Sequence, residues 1–143
     1  MKPRRALLSL TVGAAVLAGA GAAAQTAPPT SCLKAQEVRQ PHMLGLWRAE
    51  FGGVAQGATV LLEKNASYAD SFSGAINRAG AIARVAGDVD DGEFTMEESS
   101  DGKRISATWI GDVVEGSCGK EIRGTWKTDG AGWPLDFVLR KLP

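Results

Sequence analysis

Between residues 43 and 141, apolar residues recur at every second position in short runs, and clusters rich in Gly, Asp and Asn separate the runs. This period of two is typical of β-strands joined by hairpins. The sequence predicts eight strands, at residues 45–51, 58–64, 71–77, 81–86, 93–98, 104–113, 121–127 and 135–141. The fold class is therefore predicted to be all-β.

The alternation also predicts which side chains share the apolar face, because successive side chains of a strand point to opposite faces. The predicted inward residues are Trp47, Ala49, Phe51, Val60, Leu62, Phe72, Gly74, Ile76, Ala81, Ala83, Val85, Phe94, Met96, Ile105, Ala107, Trp109, Ile122, Gly124, Trp126, Leu135, Phe137 and Leu139. Charged and hydroxyl side chains dominate the opposite face. One face of each strand should form the core while the other meets water.

The links between the runs are short, and several carry Gly after Ala or Asp, as in Ala79-Gly80, Asp91-Gly92 and Asp101-Gly102. Such pairs favour tight hairpins, so consecutive strands should pair antiparallel. No long helical stretch is present to cover the apolar face. We therefore expect an eight-stranded up-and-down meander closing into a small barrel, since closure removes exposed edges; a β-sandwich is the alternative.

The N-terminus has the pattern of a secretory signal peptide. Lys2, Arg4 and Arg5 precede an apolar stretch at residues 6–18, and Ala22-Ala23-Ala24 offers small residues for cleavage. We predict a signal peptide at residues 1–24, a leader segment at residues 25–42 tied down by Cys32, and a β-barrel domain at residues 43–143. The mature chain should then be periplasmic or secreted, with no membrane span.

Cys32 and Cys118 are the two cysteines of the chain. An even count in an exported chain predicts a disulfide. A structural zinc site is disfavoured, because the sequence has a single His, His42, to complete a four-ligand shell. We predict a Cys32–Cys118 bridge and neither a metal site nor a cofactor.

The net charge and the absence of known motifs disfavour several classes of function. Three of the 16 basic residues lie in the predicted signal, so 13 oppose 16 acidic residues and the mature net charge is −3; this disfavours nucleic acid as a partner. His42 lies ahead of the first strand without a nucleophile at a motif spacing, and the chain has no G-x-S-x-G frame. The acidic run 88–93 lacks the spacing of a calcium loop, and Asn65-Ala66-Ser67, although a glycosylation sequon, is better explained as a turn. No catalytic residue is predicted.

Several short segments carry a family resemblance: Gly45-Leu46-Trp47, the stretch 101–106 leading to Trp109-Ile110-Gly111, the stretch 122–126, and the last strand at 134–141. Together they resemble a small calycin-like β-barrel module of exported bacterial proteins, found alone or ahead of α/β-hydrolase domains and distantly similar to lipocalins and avidins. The resemblance implies a barrel over residues 43–141. Trp47 with Arg140 could mimic the Trp–Arg pair of lipocalins, but neither the ligand classes of lipocalins and avidins nor hydrolase activity carries over.

Four tryptophans are the candidate contact residues. Trp47, Trp109 and Trp126 are predicted inside, where they could fill the core or line a ligand pocket, since an eight-stranded barrel is just wide enough for either. Trp133 lies in a Gly-rich loop, where an exposed aromatic often anchors a partner. The leading hypothesis is an exported, non-catalytic module that binds a protein or envelope component through the Trp133 loop or an open barrel end. The alternative is a calycin-type carrier of a small apolar ligand.

Overall fold

Eight antiparallel strands follow one another around a closed barrel in the computed structural model, which describes residues 31–130 and 132–143. The strands are β1 (Gly45–Phe51), β2 (Val54–Lys64), β3 (Ser71–Arg78), β4 (Ala81–Asp90), β5 (Glu93–Ser99), β6 (Ala107–Val113), β7 (Glu121–Thr128) and β8 (Leu135–Lys141). Strand β8 pairs with β1 and closes the ring. The predicted barrel is confirmed and the β-sandwich is excluded. The predicted signal peptide lies outside the described residues.

Three strand boundaries differ from the sequence prediction by more than one residue. Strand β2 begins at Val54 instead of residue 58, because Val54 pairs with Phe51 across a tight turn. Strand β4 runs on to Asp90, where Asp91 and Gly92 turn the chain with positive φ values of 48° and 83°. The acidic run 88–93 is thus the end of a strand and its hairpin turn.

The third difference is the start of β6, which begins at Ala107 instead of residue 104. The Asp101 carboxylate accepts hydrogen bonds from the backbone N–H groups of Lys103 and Arg104, each at 2.8 Å, and holds the preceding segment in a loop. These two bonds also lower the pKa of Asp101. Ile105 belongs to this loop and is 45% exposed, so its predicted inward position is wrong. Ala81, at the start of β4, is likewise exposed rather than inward.

Aromatic side chains fill the middle of the barrel. Phe72 stacks on Phe94 with ring centroids 5.8 Å apart, Phe94 meets Phe137 edge-on, and Phe137 lies 4.8 Å from Trp109. All four are buried. Such tilted and offset arrangements are the favoured geometries of aromatic pairs. The barrel core is therefore a continuous aromatic column.

One glycine on β6 and one on β7 leave room for this column, because neither carries a side chain. Gly111 and Gly124 are directly paired, with Phe94 beside Gly111 and Phe137 beside Gly124 in the neighbouring strands. A Cβ atom on Gly124 would overlap the carbonyl oxygen of Ile110. The sequence alternation places Gly124 on the inner face, and the close backbone approach explains why a side chain is missing there.

The segment before β1 covers one end of the barrel, which we call the proximal end. It contains a 3₁₀ turn (Ala35–Glu37) and the short helix α1 (Gln40–Met43). Val38 and Met43 are fully buried, and the indole N–H of Trp47 donates to the Met43 carbonyl at 2.7 Å. A disulfide between Cys32 and Cys118 joins this segment to the turn between β6 and β7 and confirms the predicted bridge. Residues 31–42 of the predicted leader therefore pack as part of the folded unit.

Within the described ranges, no helix combines the length and the apolar character that crossing a bilayer requires.

Candidate binding site at the distal end of the barrel

The connections β1–β2, β3–β4, β5–β6 and β7–β8 all lie at the barrel end opposite α1, which follows from the up-and-down order of the strands. We call this the distal end. It holds a hollow of about 190 Å³, lined by Phe51, Val54, Gln56, Arg78, Trp126 and Leu135. The lining is mostly apolar, with one guanidinium and one amide as its polar groups.

A partly buried ion pair between Arg78 and Glu98 lies at this distal hollow, with Arg78 among its lining residues. Arg78, at the end of β3, donates from both terminal nitrogens to the two carboxylate oxygens of Glu98 on β5; the Nη2–Oε2 distance is 2.9 Å. The side chain of Glu98 is only 5% exposed and that of Arg78 is 27% exposed. A two-pronged Arg–carboxylate pair of this kind is both strong and directional.

Two indoles complete the coordination of the Glu98 carboxylate. The Nε1–H groups of Trp109 and Trp126 each donate to Oε2 of Glu98 at 3.3 Å. A buried charge is tolerated only when it is paired and hydrogen-bonded, and Glu98 meets both conditions. The carboxylate therefore holds two indoles and one guanidinium in fixed positions relative to one another.

The Arg78 guanidinium also caps the aromatic column. Its central carbon lies 5.4 Å from the Phe51 ring centroid and 5.2 Å from the Trp126 ring centroid, both within the range of cation–π attraction. Phe51 in turn contacts Trp109 and Trp126, each at 5.3 Å between ring centroids. The lining of the hollow is thus held by several interactions at once and is preorganised.

The four candidate tryptophans do not share one pocket. Trp126 is half-buried and lines the distal hollow, and the fully buried Trp109 lies 6.4 Å from it between ring centroids. Trp133 lies on the β7–β8 connection at the same end and is 90% exposed. Trp47 belongs to the proximal end, where it holds α1. The structure therefore separates Trp47 from the other two inner indoles.

Trp47 and Arg140 do not form the contact that a lipocalin-like pair would make. Lys141, the next residue, places its Nζ 5.7 Å from the Trp47 ring centroid and donates to the His42 carbonyl at 2.6 Å. Burial, with a smaller effect of the Lys120 charge, lowers the pKa of Lys141. Because side chains alternate along β8, Arg140 points outward, where bonds to Glu121 and Glu50 raise its pKa.

Other residues weighed from the sequence have structural roles. The Nδ1 of His42 accepts the backbone N–H of Arg39 at 2.9 Å, which caps the first turn of α1. The side-chain oxygen of Asn65 accepts the N–H groups of Ser67 and Tyr68, as expected of a turn residue. Among the described residues, no three potential metal ligands come together.

Glu98 and Arg78 are the site residues that the sequence reasoning missed. The signal was present, since Phe94 and Met96 were assigned to the inner face and the same period places Glu98 there as well. A carboxylate at an inward position requires a buried partner. The same period continues from Phe72 and Ile76 to Arg78 on β3, but alternation alone does not show that these two inward charges meet.

The fold defines the class of the protein as a closed, eight-stranded, up-and-down β-barrel. Its sequence matches no protein-family model and no curated protein closely enough to assign a family.

Proposed function

We propose that this chain is an exported, non-catalytic binding module whose distal hollow receives an apolar group presented by a partner protein. The observation that carries the proposal is the hollow itself, where aromatic and aliphatic side chains surround a guanidinium fixed by a buried carboxylate. Apolar pockets with a few convergent polar groups are the usual form of a binding site.

The size of the hollow favours an inserted group over a whole small molecule. Pockets for drug-sized ligands usually span about 300–1,000 Å³, whereas this hollow measures about 190 Å³. Phe72, Phe94, Phe137 and Trp109 occupy the barrel below it. A single side chain anchored in a small, preorganised pocket is typical of energetically important contacts between proteins.

Trp133 supports the same proposal. Its indole is almost fully exposed on the distal connection that precedes Leu135, a lining residue of the hollow. Trp is enriched among the residues that contribute most to contacts between proteins. A partner seated on the distal end would cover Trp133 together with the mouth of the hollow.

Export is the second part of the proposal. The tripartite start of the sequence and a disulfide in the folded unit both fit an oxidising compartment. We expect N-terminal sequencing of the protein released from its producing cells to begin near Gln25. Protein recovered only with an intact Met1 would contradict export through cleavage.

The binding prediction can be tested by filling the hollow. Random peptides displayed on phage are selected on the immobilised protein, and the selected peptides are measured by calorimetry against two variants. Val54→Trp places an indole at the mouth, whereas Leu61→Trp changes the outer face of the same strand at a residue of similar exposure, 41% against 45%. We expect Val54→Trp to weaken binding at least about tenfold, or 1.4 kcal/mol, and Leu61→Trp to leave it nearly unchanged.

Equal binding to wild type and Val54→Trp would contradict the proposed site. Native mass spectrometry of the freshly purified protein tests the alternative that the chain carries a small apolar ligand. A small apolar molecule that stays bound to wild type and is lost from Val54→Trp would favour a carrier over a partner-binding module.

A further inference from the structure

We infer that the group received by the distal hollow combines an apolar body with an uncharged hydrogen-bond acceptor, such as a leucine-sized side chain next to a peptide carbonyl. This inference rests on the proposed function and names the chemistry that the hollow selects. It follows from the hydrogen bonds and charges of Arg78 and Glu98.

Arg78 has donors left to offer. A guanidinium carries five N–H groups, and the pair with Glu98 uses one from each terminal nitrogen. In the part of the chain that the structure describes, no further acceptor bonds this guanidinium. Arg78 lines the hollow and is partly exposed, so its remaining N–H groups can donate to an oxygen of an incoming group.

The Glu98 carboxylate, in contrast, is fully engaged. It accepts bonds from both terminal nitrogens of Arg78 and from the indoles of Trp109 and Trp126. It is also nearly fully buried below Arg78. An incoming group therefore meets donors, and the acceptor beneath them is already occupied.

The charge of the site decides against an ionised ligand. Arg78 and Glu98 together are neutral, so a ligand carboxylate would lose its hydration among apolar side chains without a net opposite charge. An ammonium would face the Arg78 cation directly. Either ion would carry a desolvation penalty that an amide carbonyl largely avoids. An uncharged acceptor can bond the free N–H groups of Arg78 and leaves the net charge of the site at zero.

Two probes that differ in one group test this inference on the wild-type protein. N-acetyl-leucinamide and N-acetyl-leucine share their side chain, but the second carries a carboxylate in place of the terminal amide. Binding is followed through the indole N–H resonances of Trp109 and Trp126 in a two-dimensional NMR titration. We expect the amide to bind at least about tenfold more tightly, a difference of 1.4 kcal/mol.

A variant that changes the charge of the site should reverse the preference between the two probes. Glu98→Gln keeps an acceptor for Arg78 but removes the negative charge, so the hollow becomes cationic and should favour the carboxylate probe. Glu97→Gln changes the adjacent, exposed residue of β5 by the same charge and should keep the wild-type preference.

The possible outcomes separate the inference from the proposed function. A wild-type preference for the carboxylate, a Glu98→Gln variant with an unchanged preference, or no binding of either probe overturns the inference. If selected peptides bind in a manner sensitive to Val54→Trp while the probes give one of these results, the proposed function stands and only the inferred chemistry fails. If no peptide is selected either, both fail.

Discussion

We expect removal of the Cys32–Cys118 bridge to lower the free energy of unfolding by about 4 kcal/mol, because the bridge limits the unfolded chain over 86 residues. Both cysteines are exposed, so the double variant Cys32→Ser/Cys118→Ser loses little packing. Most of the effect should therefore arise in the unfolded state. Urea unfolding of wild type and variant measures it directly.

The urea dependence gives a second readout of the same effect. A cross-linked unfolded chain exposes less surface, so the slope of the free energy against urea should be steeper in the double variant. Dithiothreitol should reproduce the loss in wild type and leave the variant unchanged, which provides the control. A loss below about 1 kcal/mol would show that the chain-entropy argument does not apply to this bridge.

The structure also indicates which residues should become less stably folded when the bridge is removed. Val38 and Met43 are fully buried, and Trp47 bonds the Met43 carbonyl, so α1 should stay docked without the bridge. Residues 31–37 have weaker contacts, chiefly hydrogen bonds of exposed groups such as Ala35 N–H to Glu115 at 3.0 Å. Hydrogen exchange should rise there and stay low in β1.

The second large effect is expected at Trp109, where substitution by Ala should cost about 3–5 kcal/mol as a large core truncation. The indole is fully buried, and its ring lies within 5.3 Å of the Phe51 and Phe137 ring centroids. Its loss also removes a donor to Glu98. Urea unfolding of Trp109→Ala measures the combined effect.

Trp133→Ala is the matched control for this prediction. The same residue type is removed, but the Trp133 indole is 90% exposed, so stability should change by no more than about 0.5 kcal/mol. Trp126→Ala should lie between the two variants, because Trp126 is half-buried and also donates to Glu98. Equal losses at Trp133 and Trp109 would contradict the burial described here.

The sequence alone was sufficient for the all-β class, the meander order and most of the strands, whereas the pairing of β8 with β1 decided for a barrel over a sandwich. Period-two alternation depends only on neighbouring residues, and short Gly-containing links leave consecutive strands no choice but antiparallel pairing. The bounds of β1 and β8 were predicted correctly for this reason. Ile105 was misplaced because Asp101 binds the backbone of the next residues and withdraws them from the ladder.

The site depended on contacts that no local pattern contains. Period two could have assigned Glu98 to the inner face, but its charge alone cannot identify the partner that makes burial tolerable. Arg78 is 20 residues away in the chain, and the two indoles that share the carboxylate lie 11 and 28 residues away. These groups meet because the sheet curves around one interior, and period two alone does not fix the stagger between strands that sets their heights in the barrel.

The same reason separates Trp47 from Trp109 and Trp126. Alternation assigned all three indoles to the interior, and all three side chains do point inward. Alternation carries no information about height along the barrel, which is set by the stagger between paired strands. The sequence thus determined the strands and most of their inner face, whereas the tertiary structure alone decided that Trp47 holds the proximal segment and that Trp109 and Trp126 form a distal site with Arg78 and Glu98.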